Sequence, residues 1–318
     1  MDCAKRIHSQ PITKTMKPAQ RIAFGYYTTK FKALGALSPQ KAAQAAFTLF
    51  CTPYHGKPKR KAPEIFSKAV FIEYEFEGLT IRGFHWKNSS PQNKRILICH
   101  GFDSCCYRFD AYIPLLQERG FEVFAFDAPG HGISDGKTIN ALLYSRLILT
   151  LEKDFGPFEG IMAHSLGGLA LAIAMEKLAN NASKKIVLIA PATETGSAIR
   201  NFLKYIPLTP KVEAAFYQLI YDIGKQPADW FSVTRAVQHI SAQMLWLHDQ
   251  FDPICAYEDT KAARKLKLPN LQFFTTKHLG HSNIHREPRI QQMILSFFMD
   301  EPLNFSPIEL EGGPAQWM

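Results

Sequence analysis

The sequence predicts an α/β chain organised around a mostly parallel β-sheet. Two patterns predict it. From about residue 68, apolar runs of strand length alternate with helix-length segments, the rhythm of βαβ units. Several of those runs are apolar almost throughout, as strands covered on both faces must be. The length of 318 residues, with 46 % hydrophobic and 20 % charged side chains, suits a soluble globule with a sizeable core and excludes a disordered or fibrous chain.

The first 62 residues predict a basic helical arm and linker. Ser38-Pro39 is an N-cap followed by proline at the first helical position, Ala42, Ala46 and Phe50 recur every four residues, and Pro53 stops the helix. GKPKRKAP (56–63) is a basic, proline-bounded linker. Residues 1–61 hold 12 Lys/Arg against Asp2 alone, and the other 25 Lys/Arg face 27 acids. The positive charge therefore belongs to the arm, and no whole-molecule basic field for nucleic acid exists. The arm permits three roles: docking on the body, peripheral contact with an anionic membrane surface, or targeting.

The body follows in order. AVFIEYEF, Glu77-Gly78 and LTIRGFHW read as a β-hairpin. RILICH (95–100) is a strand, 105–119 a helix, FEVFAFD (121–127) a strand, 140–155 a helix, FEGIMA (158–163) a strand and 166–180 a helix. KKIVLIA (184–190), AQMLWLH (242–248) and LQFFTT (271–276) are the last strands, and a helix over 288–299 closes the pattern. The boundaries are an arm at 1–62, a core at 63–191 and 242–300, and a C-terminal extension at 301–318. The interval 192–241 is too long for a structureless loop, and VEAAFYQLIYDI has helical spacing, so a helical cap is expected there.

No apolar run approaches the ~18 residues of a membrane span. MDCAKRIHSQPITK lacks the apolar centre of a secretory signal. Six cysteines without CxxC predict reduced thiols and a cytoplasmic chain, with neither a zinc knuckle nor a thioredoxin-like pair.

Five short motifs carry the chemistry. Ala163-His164-Ser165-Leu166-Gly167-Gly168 stands between a strand and a strong helix, the setting of a nucleophile elbow, with alanine where the strict pattern has glycine. Ser165 is the candidate nucleophile. Gly101 after His100 turns a loop beside it, so the backbone N–H groups of Phe102 and Leu166 are the candidate oxyanion donors. Asp127-Ala-Pro-Gly-His131-Gly-Ile-Ser134 is a turn-rich loop whose Asp127 and His131 are expected to fix it by hydrogen bonds. His281 lies in the loop after the last strand and is the candidate base. Asp249 and Asp252 follow the strand before it; Asp252, ahead of Pro253, is favoured as the acid, and Glu194 ranks third. The histidines 278, 281 and 285 lack His-Glu-x-x-His spacing, so no metal is expected.

From about residue 68 to 300 the chain resembles the α/β-hydrolase superfamily, serine-nucleophile branch. The resemblance rests on HGF (100–102), DAPGHGIS (127–134), AHSLGG (163–168), HDQFDPI (248–254) and LGHS (279–282), in that order. The DAPGHGIS and HGF elements look like those of esterases, lysophospholipases and monoacylglycerol lipases. It implies an eight-stranded, mostly parallel sheet with helices on both faces and a cap between strands six and seven. It also implies a triad of Ser165, Asp252 and His281 acting on a small-molecule ester, with no cofactor. A dehalogenase or epoxide hydrolase of this fold is expected to carry aspartate at the elbow. The aromatic side chains of 192–241 suggest an apolar acyl group. The same triad also serves amides, thioesters and C–C bonds, and a silent binding module is the non-enzymatic alternative. The oligomeric state is not legible.

Overall fold

The computed structural model describes residues 18–54, 61–90 and 94–303. Most of the basic linker at 56–63, the extension beyond 303 and the first 17 residues of the arm lie outside these. The described residues divide into two compact units: one of those up to 50 with 199–219, the other of those in 51–198 and from 220 on.

In the first unit, α1 (Pro18–Leu37) and α2 (Pro39–Phe50) are joined through Ser38, whose Oγ accepts from the N–H of Lys41 at 3.3 Å, the expected N-cap. Ala42, Ala43 and Ala46 are buried. The aromatic face of these helices meets residues 199–219. Phe24 stacks on Tyr205 at 5.3 Å, and Phe47 and Phe50 pack edge-on against Phe216 at 5.9 and 6.1 Å.

The second unit is built on an eight-stranded sheet. The strands are β1 (Val70–Phe76), β2 (Leu79–Trp86), β3 (Arg95–Cys99), β4 (Glu122–Phe126), β5 (Gly160–His164), β6 (Lys185–Ile189), β7 (Gln243–Asp249) and β8 (Leu271–Thr276). They lie in the order β1-β2-β4-β3-β5-β6-β7-β8. β1 and β2 are antiparallel, joined by a two-residue turn in which both Glu77 (φ 49°) and Gly78 (φ 76°) are left-handed, as a hairpin of this hand requires. β2 also runs antiparallel to β4, and the other five pairings are parallel.

Period-2 alternation sends Ile96, Ile98, Met162, Val187 and Leu245 to one face, where they join Tyr112, Ile113 and Leu116 of α3 (Tyr112–Glu118) and Ile290, Met293 and Ile294 of α10 (Pro288–Phe298). The opposite face receives α4 (Ala141–Phe155), whose Phe155 packs on Phe124 and Phe126. It also receives α5 (Leu166–Lys177), which is buried continuously from Gly167 to Met175. Helices thus cover both faces of the sheet.

Boundaries moved where side chains intervene. The helix expected over 105–119 is a 3-10 turn (Cys106–Phe109) followed by α3, because the Cys106 N–H is taken by the Asp127 carboxylate at 2.8 Å. α5 stops at Lys177, and Asn181 Nδ2 caps the carbonyls of Met175 and Leu178. Between β6 and β7 lie α6 (Thr195–Tyr205), α7 (Pro210–Gly224) and the single turn α8 (Val233–Ala236). The single turn α9 (Gly280–Asn283) follows β8. Among the described residues, no helix is long and apolar enough to cross a membrane, and no group of three or more His, Cys, Asp or Glu could hold a metal ion.

Candidate active site

The candidate residues all stand at the carboxyl ends of parallel strands, where loops are free of the ladder and one end of the sheet gathers them. Ser165 is the residue between β5 and α5. Its backbone is left-handed, φ 55° and ψ −122°, a strained conformation that costs a serine on the order of 1–3 kcal/mol. Its carbonyl accepts from the N–H groups of Gly168 and Ala192, and its own N–H donates to Ile189 at 3.1 Å. Two glycines permit the turn. A Cβ on Gly167 would stand 2.5 Å from the His100 carbonyl, and one on Gly101 would stand 2.8 Å from Ser165 Cβ. The HGF loop therefore lies directly against the serine. Leu166 opens α5, so its N–H belongs to the first turn, which has no intrahelical acceptor. Ala163 is fully buried in β5 between Cys99 and Leu188, and alanine fits where the strict pattern has glycine.

The two aspartates after β7 have different partners. His281 Nδ1–H donates to Asp252 Oδ2 at 2.7 Å, while Asp252 Oδ1 accepts from the N–H groups of Ile254 and Cys255 at 2.8 and 2.9 Å. Asp249 accepts instead from the Thr276 hydroxyl and the Leu279 N–H through Oδ2, and from the Phe251 N–H through Oδ1. Asp252 is thus the carboxylate on His281, and Asp249 ties the end of β8 to the acid loop. Glu194 accepts from the Ser232 hydroxyl at 2.9 Å.

Two neighbours of the serine meet the His281–Asp252 pair or its loop. Burial holds the Cys255 thiol far above the ordinary thiol range, with the Ser165 side chain acting in the opposite sense. The preceding residue, His164, donates Nε2–H to the His281 carbonyl at 2.9 Å, and the two rings lie 4.6 Å apart.

Four other buried histidines surround the site or its loops. His100 donates Nδ1–H to the Gly101 carbonyl and accepts the Ala128 N–H on Nε2. His131 donates Nδ1–H to the Pro129 carbonyl and accepts the Asp103 N–H on Nε2. His248 donates Nε2–H to the Cys255 carbonyl and accepts the Trp246 indole N–H on Nδ1. Each bond pair requires the neutral ring. Burial enforces the same result: it lowers His100 and His131 to about 4 and also lowers His248. His285, stacked on Phe109 at 4.8 Å, is lowered by burial to about 3. Burial, reinforced by His281 and His285, puts His164 well below the ordinary imidazole value. These rings brace loops and do not carry protons near neutrality. Asp127 likewise accepts from the Cys106 and Ile133 N–H groups and fixes the loop, with its carboxyl raised by burial. His278, the third member of the His trio, stacks on Phe251 at 4.2 Å.

Sequence reasoning passed over His164, His248 and Cys255. Each lies inside or beside a motif already singled out, and the signal was only proximity in sequence.

A profile of the Alpha/beta hydrolase family matches residues 96–290, well over half the chain and all the candidate residues above. The chain belongs to the alpha/beta hydrolase family. Monoglyceride lipase of Mus musculus is 29 % identical over 102 residues, which cover 29 % of this chain and 34 % of the lipase. Epoxide hydrolase 1 of Sus scrofa is 32 % identical over 113 residues, covering 30 % of this chain and 25 % of that protein. The chain thus spans only about a quarter to a third of the length of these curated relatives. Among solved structures, an esterase of Pyrococcus furiosus aligns over 79 % of this chain and 99 % of its own with a TM-score of 0.59 at 18 % identity, a likeness of fold.

Proposed function

We propose that this alpha/beta hydrolase is a serine hydrolase of carboxylic esters. The observation that carries the reading is the 2.7 Å bond from His281 Nδ1–H to Asp252, set beside a serine held at φ 55° on a strand-to-helix turn. With Nδ1–H committed to the carboxylate, Nε2 is the nitrogen that exchanges protons.

In this account His281 Nε2 takes the Ser165 proton as Oγ attacks the ester carbonyl. Asp252 holds the tautomer and stabilises the imidazolium. The Phe102 and Leu166 N–H groups receive the oxyanion, each such donor contributing about 10²–10³ in rate. The tetrahedral intermediate collapses, the C–O bond breaks, and the alcohol leaves with the proton from His281. Water, deprotonated by His281, then releases the acid from Ser165. Support for an ester comes from the esterase and lipase relatives. The serine elbow separates the chain from the epoxide-opening chemistry that its pig relative's name states. Support for an apolar acyl group comes from Phe102 in the donor loop and from Phe251 and Ile254, both exposed on the loop that carries Asp252.

The test is hydrolysis of p-nitrophenyl esters from acetyl to long acyl by the wild type and Ser165→Ala. Activity that rises with acyl length and collapses in the variant supports the proposal. Equal rates in both proteins would remove Ser165 from the chemistry.

A further inference from the structure

The helix α1 is apolar on two opposite faces, and only one of them is packed. The inner face holds the buried Phe31, Tyr27 against it at 5.9 Å, Phe24 stacked on Tyr205, and Gly35, where a Cβ would stand 2.5 Å from Val212. At 3.6 residues per turn, Ile22, Tyr26, Ala33 and Leu37 fall within about 60° of one another on the outer face. That stripe is open to solvent: Ile22 is 74 % exposed, Tyr26 60 % and Leu37 87 %. By the same geometry Lys30 borders the stripe on one side, and Arg21 and Lys32 border it on the other; all three are exposed. The Lys30 ammonium lies 5.9 Å from the centre of the Tyr26 ring.

Charge decides what this face fits. Arg21, Lys30, Lys32 and Lys41 are the charged residues of α1 and α2, and no Asp or Glu occurs between Asp2 and Glu64. A second copy docked on the stripe would place these cations against their own equivalents, because a two-fold interface is self-facing. An anionic headgroup layer neutralises them. The acyl boundary beneath it accepts the Ile22 and Leu37 side chains, and an aromatic such as Tyr26 sits well at headgroup level.

We propose that the outer face of α1 is a docking surface for an anionic lipid bilayer, with α1 lying along the membrane surface. The proposal is independent of the chemistry assigned to Ser165. The test is co-sedimentation of the full chain with phosphatidylcholine vesicles, with and without about one-third phosphatidylglycerol, at low and high salt. The variants are Lys30→Glu/Lys32→Glu and Ile22→Ser/Tyr26→Ser/Leu37→Ser, with folding checked by circular dichroism and thermal melting. These side chains are exposed, so both variants are expected to melt like the wild type. The expected result is partition into anionic vesicles at least about tenfold above neutral ones, weakened by salt and reduced at least about tenfold in each variant. Residues 1–17 and 57–61 carry further cations, so the variants are the decisive arm. Unchanged partition in both variants would overturn the proposal. So would a wild-type dimer that fails to bind vesicles and becomes monomeric in the serine variant.

Discussion

Replacing Asp252 by asparagine separates the two aspartates of the acid loop. In the wild type Oδ1 accepts the Ile254 and Cys255 N–H groups, and Oδ2 accepts His281 Nδ1–H. An asparagine oxygen keeps the two backbone bonds, which turns its NH₂ toward His281. Nδ1 must then accept, and the proton moves to Nε2, the nitrogen needed to take the Ser165 proton. An amide in the equivalent place of a Ser-His-Asp triad costs about 10⁴ in kcat, or roughly 5.5 kcal/mol. All three bonds persist, the one to His281 with its direction reversed, so KM and the melting temperature change little. In Asp249→Asn one oxygen must serve both sides, so the NH₂ meets either the Leu279 or the Phe251 N–H and leaves it unpaired, at about 1–3 kcal/mol. That variant melts lower and keeps a larger share of kcat. Steady-state kinetics on a p-nitrophenyl ester, with thermal melts of the same samples, read both effects. Asp252→Asn with kcat within about tenfold of wild type, or an Asp249→Asn that loses more kcat than Asp252→Asn, would refute this reasoning.

Three further outcomes follow from the same geometry. In Gly101→Ala the new methyl meets Ser165 Cβ at 2.8 Å and His164 Nδ1 at 2.9 Å, so kcat drops by about 10² or more while binding survives; unchanged kcat would contradict the packing. His164→Ala removes the donor on the His281 carbonyl and lowers kcat about tenfold or more, whereas His164→Gln, whose side-chain N–H can reach that carbonyl, recovers part of it; equal rates in the two variants would reject the positioning role. Stability is expected to fall with acid from about pH 6.5 to 4. His100, His131 and His285 stay neutral when folded, with values of about 4, 4 and 3, while the unfolded chain takes up protons near the ordinary imidazole value. The unfolded state therefore binds more protons throughout that window, and His100 alone accounts for about 3 kcal/mol. Melting temperatures that stay level across it would show that these rings charge freely in the fold.

The strands were legible because their apolar runs are nearly uninterrupted, and β3, β5 and β6 lie within two residues of where those runs place them. The hairpin was legible because Glu77-Gly78 interrupts two long runs and both residues take left-handed backbone. The elbow was legible because a serine with small neighbours sat between a strand and a helix. What failed to show were effects of partners distant in sequence. The break between the Cys106 turn and α3 depends on Asp127, 21 residues on. Asp252 was favoured over Asp249 from its place ahead of Pro253, but the job Asp249 does instead depends on Thr276 and Leu279, which no local pattern connects to it. His131 was expected to fix its loop, and it does; His164 and His248 escaped, because the groups they bond, the His281 carbonyl and the Cys255 carbonyl, are not marked by any pattern around either histidine. The grouping of the arm with 199–219 rests on aromatic contacts between segments about 150 residues apart, beyond the reach of periodicity.

The proposed chemistry requires Ser165 Oγ to be an activated nucleophile. A fluorophosphonate reports on it directly: serine attacks phosphorus, fluoride leaves, and the phosphonyl group stays on oxygen as a stable adduct. Intact-mass measurement followed by peptide mapping should show one adduct per chain, located on Ser165, absent from Ser165→Ala and formed far more slowly by His281→Ala. An unlabelled wild type, or an adduct on another residue that persists in Ser165→Ala, would contradict the account.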